Sequence, residues 1–395
     1  MARYVVLGNP ENRRITLFQE ALARRGQPPA TVLAWRDLVA AEESVEAVLS
    51  RLPEAPAVLR IDSFGEDFDV ERRLLRRGLS AAEADPTGPT VARAEEIDGL
   101  TFDRGRILAP RQHHHGFLSV LAELERALAR RPWLRPLPSP RTIERLFDKR
   151  ACAPSFVAAG APVPRSIPSP GLTPAALRDA MRAAGHGSVF VKLACGSSAS
   201  CLALYDETDP HAPWLFTSME IDGPRLYNSL RPRRYRDRAR IDRLLGFLLR
   251  EGSHVEEHVP KARSDGAFFD TRMLVVEGEV AFTVMRKSRH PITNLHLGGT
   301  RGTSEELGAA VPAEVLEAAH ESCRRIFAAH ECLHLGVDVM FTAARDGHRV
   351  LEANAFGDLL PNLTRDGLSV YEWEIEATGR RLLAEVGIRS RIPSP

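Results

Sequence analysis

The sequence predicts a mixed α/β and α+β architecture, with a parallel-sheet region first and antiparallel strands with helices after it. Three observations predict this. Short apolar runs rich in β-branched residues alternate with helical patterns in the first third, the mark of strand–helix–strand units. The last third carries strand-like runs paired across glycine-containing turns, the mark of hairpins. Between them RRPWLRPLPSP, residues 130–140, holds four prolines and reads as a linker. A boundary near residue 138 follows, giving an N-terminal α/β domain over 1–138 and two further units over 139–252 and 253–395.

RYVVL (3–7), ATVLA (30–34) and AVLRI (57–61) are the early strands, separated by helical patterns such as ITLFQEALARR. GNPENRR follows the first strand and either presents helix N-terminal amides to an anion or is a turn and cap. GRILAPRQHHHG aligns His113, His114 and His115, but no acid or cysteine is spaced to complete a metal tetrahedron, so it reads as loop. RTIERLFDKRACAPSFVAAGAPVPRSIP is a helix, a glycine stop and an extended stretch; FVKLACGSSASCLALY (190–205) is a strand, a small-residue loop and a strand.

Residues 225–250 hold nine arginines against Asp237 and Asp242 and end in an amphipathic helix. A solvated face is the default for such a run, and a dock for an acidic peptide or an RNA backbone is the alternative. Few aromatics interleave, which argues against base stacking. SHVEEHVP reads as a strand whose backbone could pair with an adenine; His254, Glu256 and His258 alternate onto one face of it. FFDTRMLVVEGEVAFTVMRKS is a hairpin, and helices are expected near 312–330 and 371–386.

The 395 residues suffice for two or three domains, and a net charge of +1 announces neither nucleic acid nor membrane. Five cysteines without paired metal spacing fit reduced thiols. MARYVVLGNPENRR reads as a strand and turn rather than a signal peptide, and no apolar run approaches the ~20 residues of a membrane span. The expected setting is soluble and cytoplasmic. Lysine occurs only at Lys149, Lys192, Lys261 and Lys287, while arginine supplies nearly all other positive charge. Either a compact ammonium suits those four sites better than a planar guanidinium, or they are chance survivors of a GC-rich codon usage.

GVDVMFTAARDGHRVLEAN (336–354) sets Asp338 between two valines, where an unpaired carboxylate costs several kcal/mol and must meet a cation, hydrogen-bond donors or water. Glu352 and Asn354 share one face of their strand. Asp338 joins that face only across an odd-length loop, for example Arg345-Asp346-Gly347 with Gly347 left-handed; a two-residue turn would put it on the opposite face. Joined, two carboxylates and an amide oxygen suit Mg²⁺. Apart, they are solvated acids of a half-exposed hairpin.

Lys192 closes a strand before CGSSAS, whose small residues leave backbone N–H groups and hydroxyls able to close over phosphates, and Lys149 could add a second ammonium. In order, FDKRACAPSFVAAGAPVPRS, VFVKLACGSS, HVEEHVPKA, FDTRMLVVEGEVAFTVMRKS, TNLHLGG and GVDVMF…VLEAN resemble the ATP-grasp superfamily. The resemblance is closest to the branch of ribosomal-protein glutamate ligases and related amino-acid and peptide ligases, and it covers roughly residues 140–360.

That resemblance implies a two-lobed fold with ATP between the lobes, and ATP and Mg²⁺ as cofactors. It implies Lys149 and Lys192 on the phosphates and Gly196, Ser197 and Ser198 in the phosphate loop. Glu256, Glu257 and Val259 become the hinge, and Asp338, Glu352 and Asn354 the Mg²⁺ ligands. Arg272, Arg286 and Asn294 match positions holding the γ-phosphate and an acyl-phosphate, with the two arginines catalytic. The implied activity is ATP-dependent joining of a carboxylate to an amine, on an amino acid or peptide. The sequence departs from relatives in having one glycine in the phosphate loop and a short segment with Pro291 before Asn294. Lys261 stands near a position where relatives often carry a ribose-binding carboxylate, leaving Asp265, Asp270 or neither for that work. Two other classes stay open: a nucleotide-binding regulatory protein without turnover, and a kinase on the same site. Residues 1–138 contain no motif that names a substrate.

Overall fold

The computed structural model describes residues 3–40, 44–168, 173–196, 200–357 and 360–389, with side chains to residue 382. Its first sheet is parallel and four-stranded, in the order Thr31–Ala34, Tyr4–Gly8, Ala57–Ile61, Leu134–Pro136. The central strands YVVLG and AVLRI are buried throughout, as a sheet covered on both faces requires. Helix Arg13–Arg24 covers one face with Phe18 and Leu22, and Asn12 caps it by accepting from the Arg14 N–H.

The proline-rich linker is therefore corrected: its middle is the fourth strand. Trp133 C=O accepts from Ala57 N–H, and Leu137 N–H donates to Leu59 C=O, both at 2.9 Å. Pro136 lies between them on an edge strand, where its missing donor faces away from the neighbour.

The second sheet has seven strands, in the order Arg106–Ile107, Arg225–Tyr235, Trp214–Asp222, Leu202–Asp206, Ser188–Leu193, Ser253–Glu257, Ser166–Ile167. Helix Arg238–Arg250 packs Ile241, Leu244 and Leu248 onto it. The three histidines are not loop but the first turns of helix Pro110–Ala129, which Pro110 opens. Helical spacing sends them three ways: His113 Nε2 lies 2.5 Å from Glu71, His115 Nε2 lies 2.9 Å from Asp85, and His114 stacks on Phe147. Burial holds the His114 imidazole down at about 3.

The third sheet runs Thr300–Gly302, Glu279–Ser288, Ala267–Val276, His334–Phe341, His348–Asn354. Glu277 and Gly278 form the tight turn between its long strands, both at positive φ (47° and 81°), as a type I′ turn requires. Val337, Val339 and Phe341 face Ala319, Cys323 and Ile326 of helix Ala313–Ala328, which leaves the alternate residues of that strand for the opposite face. Helix Val370–Arg389 binds this sheet to the first one, with Tyr371 and Ile375 in one core with Phe18 and Leu274. Among the described residues no helix is long and apolar enough to cross a membrane.

Candidate active site

Asp338 lies directly opposite Glu352, and Gly336 opposite Asn354. The expected odd-length turn is not how this happens. Phe341 pairs with His348 across a six-residue loop closed by Thr342 N–H to Gly347 C=O at 3.0 Å, and Arg345 rather than Gly347 is left-handed (φ 59°). An even loop alone would turn Asp338 away. The pairing then slips by one: Val339 faces Val350, so Leu351 is the extra residue of a β-bulge. That bulge restores the shared face.

The carboxylate between two valines meets two guanidiniums. Arg272, its direct neighbour across the strands, binds it through Nε, and Arg286 Nη2 lies 3.1 Å from its second oxygen. Burial opposes ionisation of Asp338, but the two arginines outweigh it and hold its pKa down at about 2. Behind Arg286, Asp270 accepts from its Nε at 2.8 Å and from Lys261 Nζ at 2.9 Å, and Thr293 bonds to both Asp270 and Lys261. Both oxygens of buried Asp270 are thus engaged within the protein. Asp265 is exposed and lies 3.4 Å from Lys287.

A cavity of about 90 Å³ lies beside this cluster, and Lys149, Lys192, Lys261, Glu256, Glu257 and Val259 line it. Three of the chain's four lysines therefore surround one small space, while Lys287 pairs with Glu306 at 3.0 Å elsewhere. Lys149 Nζ donates to Gly196 C=O at 2.6 Å and lies 3.2 Å from Glu352. Burial works against the Lys149 ammonium, yet Glu352 carries its pKa above the ordinary value. Asn294 accepts from His296 N–H at 2.8 Å through Oδ1 and lines the cavity. Glu257 binds Arg165 at 2.8 Å. His258 Nδ1 lies 3.1 Å from Ser188 Oγ, so it does not join His254 and Glu256 at a common point. Ser197 and Ser198 lie outside the described residues.

Lys192 and His254 together hold Glu256 at about 2 against the opposing effect of burial. A depressed carboxylate stabilises the fold above its unfolded pKa, and that contribution disappears as pH falls through the folded value. Glu256 is therefore expected to add on the order of 1–3 kcal/mol near neutral pH, lost between roughly pH 4.5 and 2. Urea titrations of wild type and Glu256→Gln at a series of pH values check this: the stability gap should close in that acid window. A gap that stays constant there would contradict it.

A second cleft of about 830 Å³ opens from the first and shares Gly196, Arg286, Asn294, Asp338 and Glu352 with it. Arg301 also lines this cleft, and no sequence motif marks it. It faces Arg286 across paired strands, a register that no local pattern around TRG announces. Arg14, from the first helix of the chain, also reaches the cleft and donates to Phe356 C=O at 3.1 Å.

The arginine stretch 225–250 is a strand and a helix with local partners. Arg233 pairs with Glu220 at 2.6 Å and Arg238 with Glu207 at 2.8 Å, while Arg234 lies 4.3 Å over the Trp214 ring. These pairs neutralise part of the run's positive charge within the protein.

No protein-family model matches the chain, and no curated protein matches it. Solved structures do. It is similar to the ATP-grasp ligase PsnB complexed with minimal precursor: 15% identity, TM-score 0.53, covering 96% of this chain and 99% of that one. PsnB complexed with a phosphomimetic precursor variant, Mg and ADP gives 17% identity and TM-score 0.51, covering 97% and 99%. The D-cycloserine synthetase DcsG gives 16% and 0.54, covering 96% and 100%. At such identities the likeness is one of fold, and with its parallel sheet followed by two antiparallel sheets the chain has the fold of the ATP-grasp ligases.

Proposed function

We propose that the protein is an ATP-dependent ligase that joins a carboxylate to an amine through an acyl-phosphate, releasing ADP and phosphate. One observation carries the reading: a small lysine-lined cavity and a larger cleft meet at Arg286, Asn294, Asp338 and Glu352. Nucleotide on one side and acceptor on the other would bring a phosphoryl group to that junction. The small cavity lies well below the ~300 Å³ of ordinary ligand pockets, so nucleotide entry requires the surrounding loops and lobes to open.

Asp338, Glu352 and Asn354 form a hard oxygen donor set, with Asp338 ionised at any physiological pH. Mg²⁺ bound there would draw charge from the β- and γ-phosphates. Arg272, Arg286 and Lys149, which now neutralise these carboxylates, are the cations that would turn to phosphate oxygens once nucleotide arrives. Asp270 holds Arg286 from behind, so this guanidinium is positioned before substrate binds. A substrate carboxylate oxygen attacks the γ-phosphorus, the bond to the bridging oxygen breaks, and ADP leaves. The amine nitrogen then attacks the acyl carbon, the acyl–oxygen bond breaks, phosphate leaves and the amine loses a proton to solvent.

Screening carboxylates and amines for release of ADP and phosphate, with mass spectrometry of products, tests the reading. Phosphate release that needs both partners supports it; ADP formation with phosphate retained on an acceptor means a kinase. Lys192→Arg is expected to weaken Mg²⁺–ATP binding by about tenfold or more in calorimetry, because a bulkier planar cation replaces an ammonium in a tight cavity. Unchanged affinity would return Lys192 to codon chance.

A further inference from the structure

The larger cleft differs from one end to the other. Next to the phosphoryl junction, Phe356 follows Asn354 by two residues and lies 6.0 Å from Phe147, which in turn lies 5.2 Å from Phe117 and 5.9 Å from Phe64. Phe64 and Phe117 belong to the core and carry little weight alone. Phe68 and Phe102 are another matter. They meet edge to face at 5.8 Å, and Phe102 is 71% exposed, a large apolar ring standing in water on the cleft wall. Its exposure forfeits burial that a ligand would restore.

Charge supplies the second constraint. Six arginines and four carboxylates line the cleft, an excess that favours an anionic occupant. Arg272 and Arg286 are held by Asp338 and Asp270. Glu71 lies 2.5 Å from His113 Nε2, and Asp103 accepts from Tyr227 Oη at 2.9 Å. Arg301, beside Arg286 in the sheet, is different: among the described residues its recorded hydrogen bond is to the Pro361 carbonyl at 3.3 Å, with no carboxylate against it. A guanidinium so placed suits the carboxylate of a substrate arriving at the junction. The volume of about 830 Å³ lies toward the upper end of the ~300–1,000 Å³ range of ligand sites and exceeds what one amino acid fills.

We infer that the carboxylate substrate is a peptide-sized acid with an aromatic or large apolar side chain near its reacting carboxyl group. Arg301 guides that carboxylate to Arg286, and Phe68 and Phe102 cover the apolar group. This rests on the reading of the junction as a carboxylate-activating site. Arg301 and the Phe68–Phe102 pair are then specificity determinants, the one for charge and the other for side-chain type.

Hydroxylamine can replace the unknown amine: its nitrogen bonds to the acyl carbon and gives up a proton to solvent, the acyl–oxygen bond to phosphate breaks, and a hydroxamate and phosphate leave. The full-length protein with Mg²⁺–ATP and hydroxylamine would be offered Gly-Phe, Gly-Leu, Gly-Gly, Gly-Glu and Gly-Lys as carboxylate probes. The inference predicts hydroxamate formation from Gly-Phe and Gly-Leu with kcat/KM at least about tenfold above the other three. Phe102→Ser, a change at an exposed ring, should collapse that preference chiefly through KM. Arg301→Gln should raise KM for every acid alike and leave the preference standing. Equal use of all five probes, a preference for Gly-Glu or Gly-Lys, or an unchanged preference in Phe102→Ser overturns the inference. Hydroxamate from none of them, with ATP binding intact, overturns the ligase reading beneath it.

Discussion

Replacing Glu352 with glutamine is expected to lower kcat by about two to three orders of magnitude while the fold survives. Glu352 stands opposite Asp338 on the cleft face, on a strand whose core contacts come from Val350 and Ala353. Glutamine keeps the shape and removes the charge that a divalent cation and the Lys149 ammonium would share. Lys149 retains the Gly196 carbonyl at 2.6 Å, so the free protein loses little. Steady-state ADP release measures the first effect and a thermal midpoint the second. Near-wild-type turnover would sink the metal assignment.

Asp270→Asn is expected to cost about 3–5 kcal/mol of stability, the largest effect on folding of any single change at the site. Asp270 is 2% exposed and is the shared counter-charge of Lys261 and Arg286, both buried. Burial lowers the Lys261 pKa while Asp270 opposes the change, so without the carboxylate the lysine is driven toward its neutral form. Arg286 has no such escape and would press on Asp338 alone. Urea denaturation of wild type and variant at neutral pH gives the difference. A loss below about 1 kcal/mol would mean that other groups neutralise the two cations, and the proposed bracing of Arg286 would go with it.

Much of this arrangement was legible because it is written locally. Strand-like runs around VVL and AVLRI, the strand that carries Lys192 and the hairpin at Glu277-Gly278 each carry their own pattern, and the structure has an element at each. The scarcity of lysine singled out four positions, three of which line one cavity. What stayed hidden depends on registers between distant segments. A bulge at Leu351 aligns Asp338 with Glu352, and a loop sequence cannot announce an extra residue in the following strand. The Lys261–Asp270–Arg286 brace and the placing of Arg301 beside Arg286 need three strands to pair in one register. Proline density hid the Leu134–Pro136 strand, since the rule against proline in sheets relaxes at an edge. Three adjacent histidines invited a search for a common ligand, yet helical geometry separates them onto Glu71, Asp85 and Phe147.

The measurement that tests the central claim most directly is the fate of the substrate's own oxygen. A carboxylate found to support turnover, labelled with oxygen-18 in both positions, would be incubated with the enzyme, Mg²⁺–ATP and an amine, and the released phosphate analysed by mass spectrometry. Attack of the carboxylate on the γ-phosphorus at the junction of Arg286, Asn294, Asp338 and Glu352 predicts one label in each phosphate and one retained in the amide. Unlabelled phosphate released in step with product, or phosphate that stays covalently on an acceptor, would contradict it.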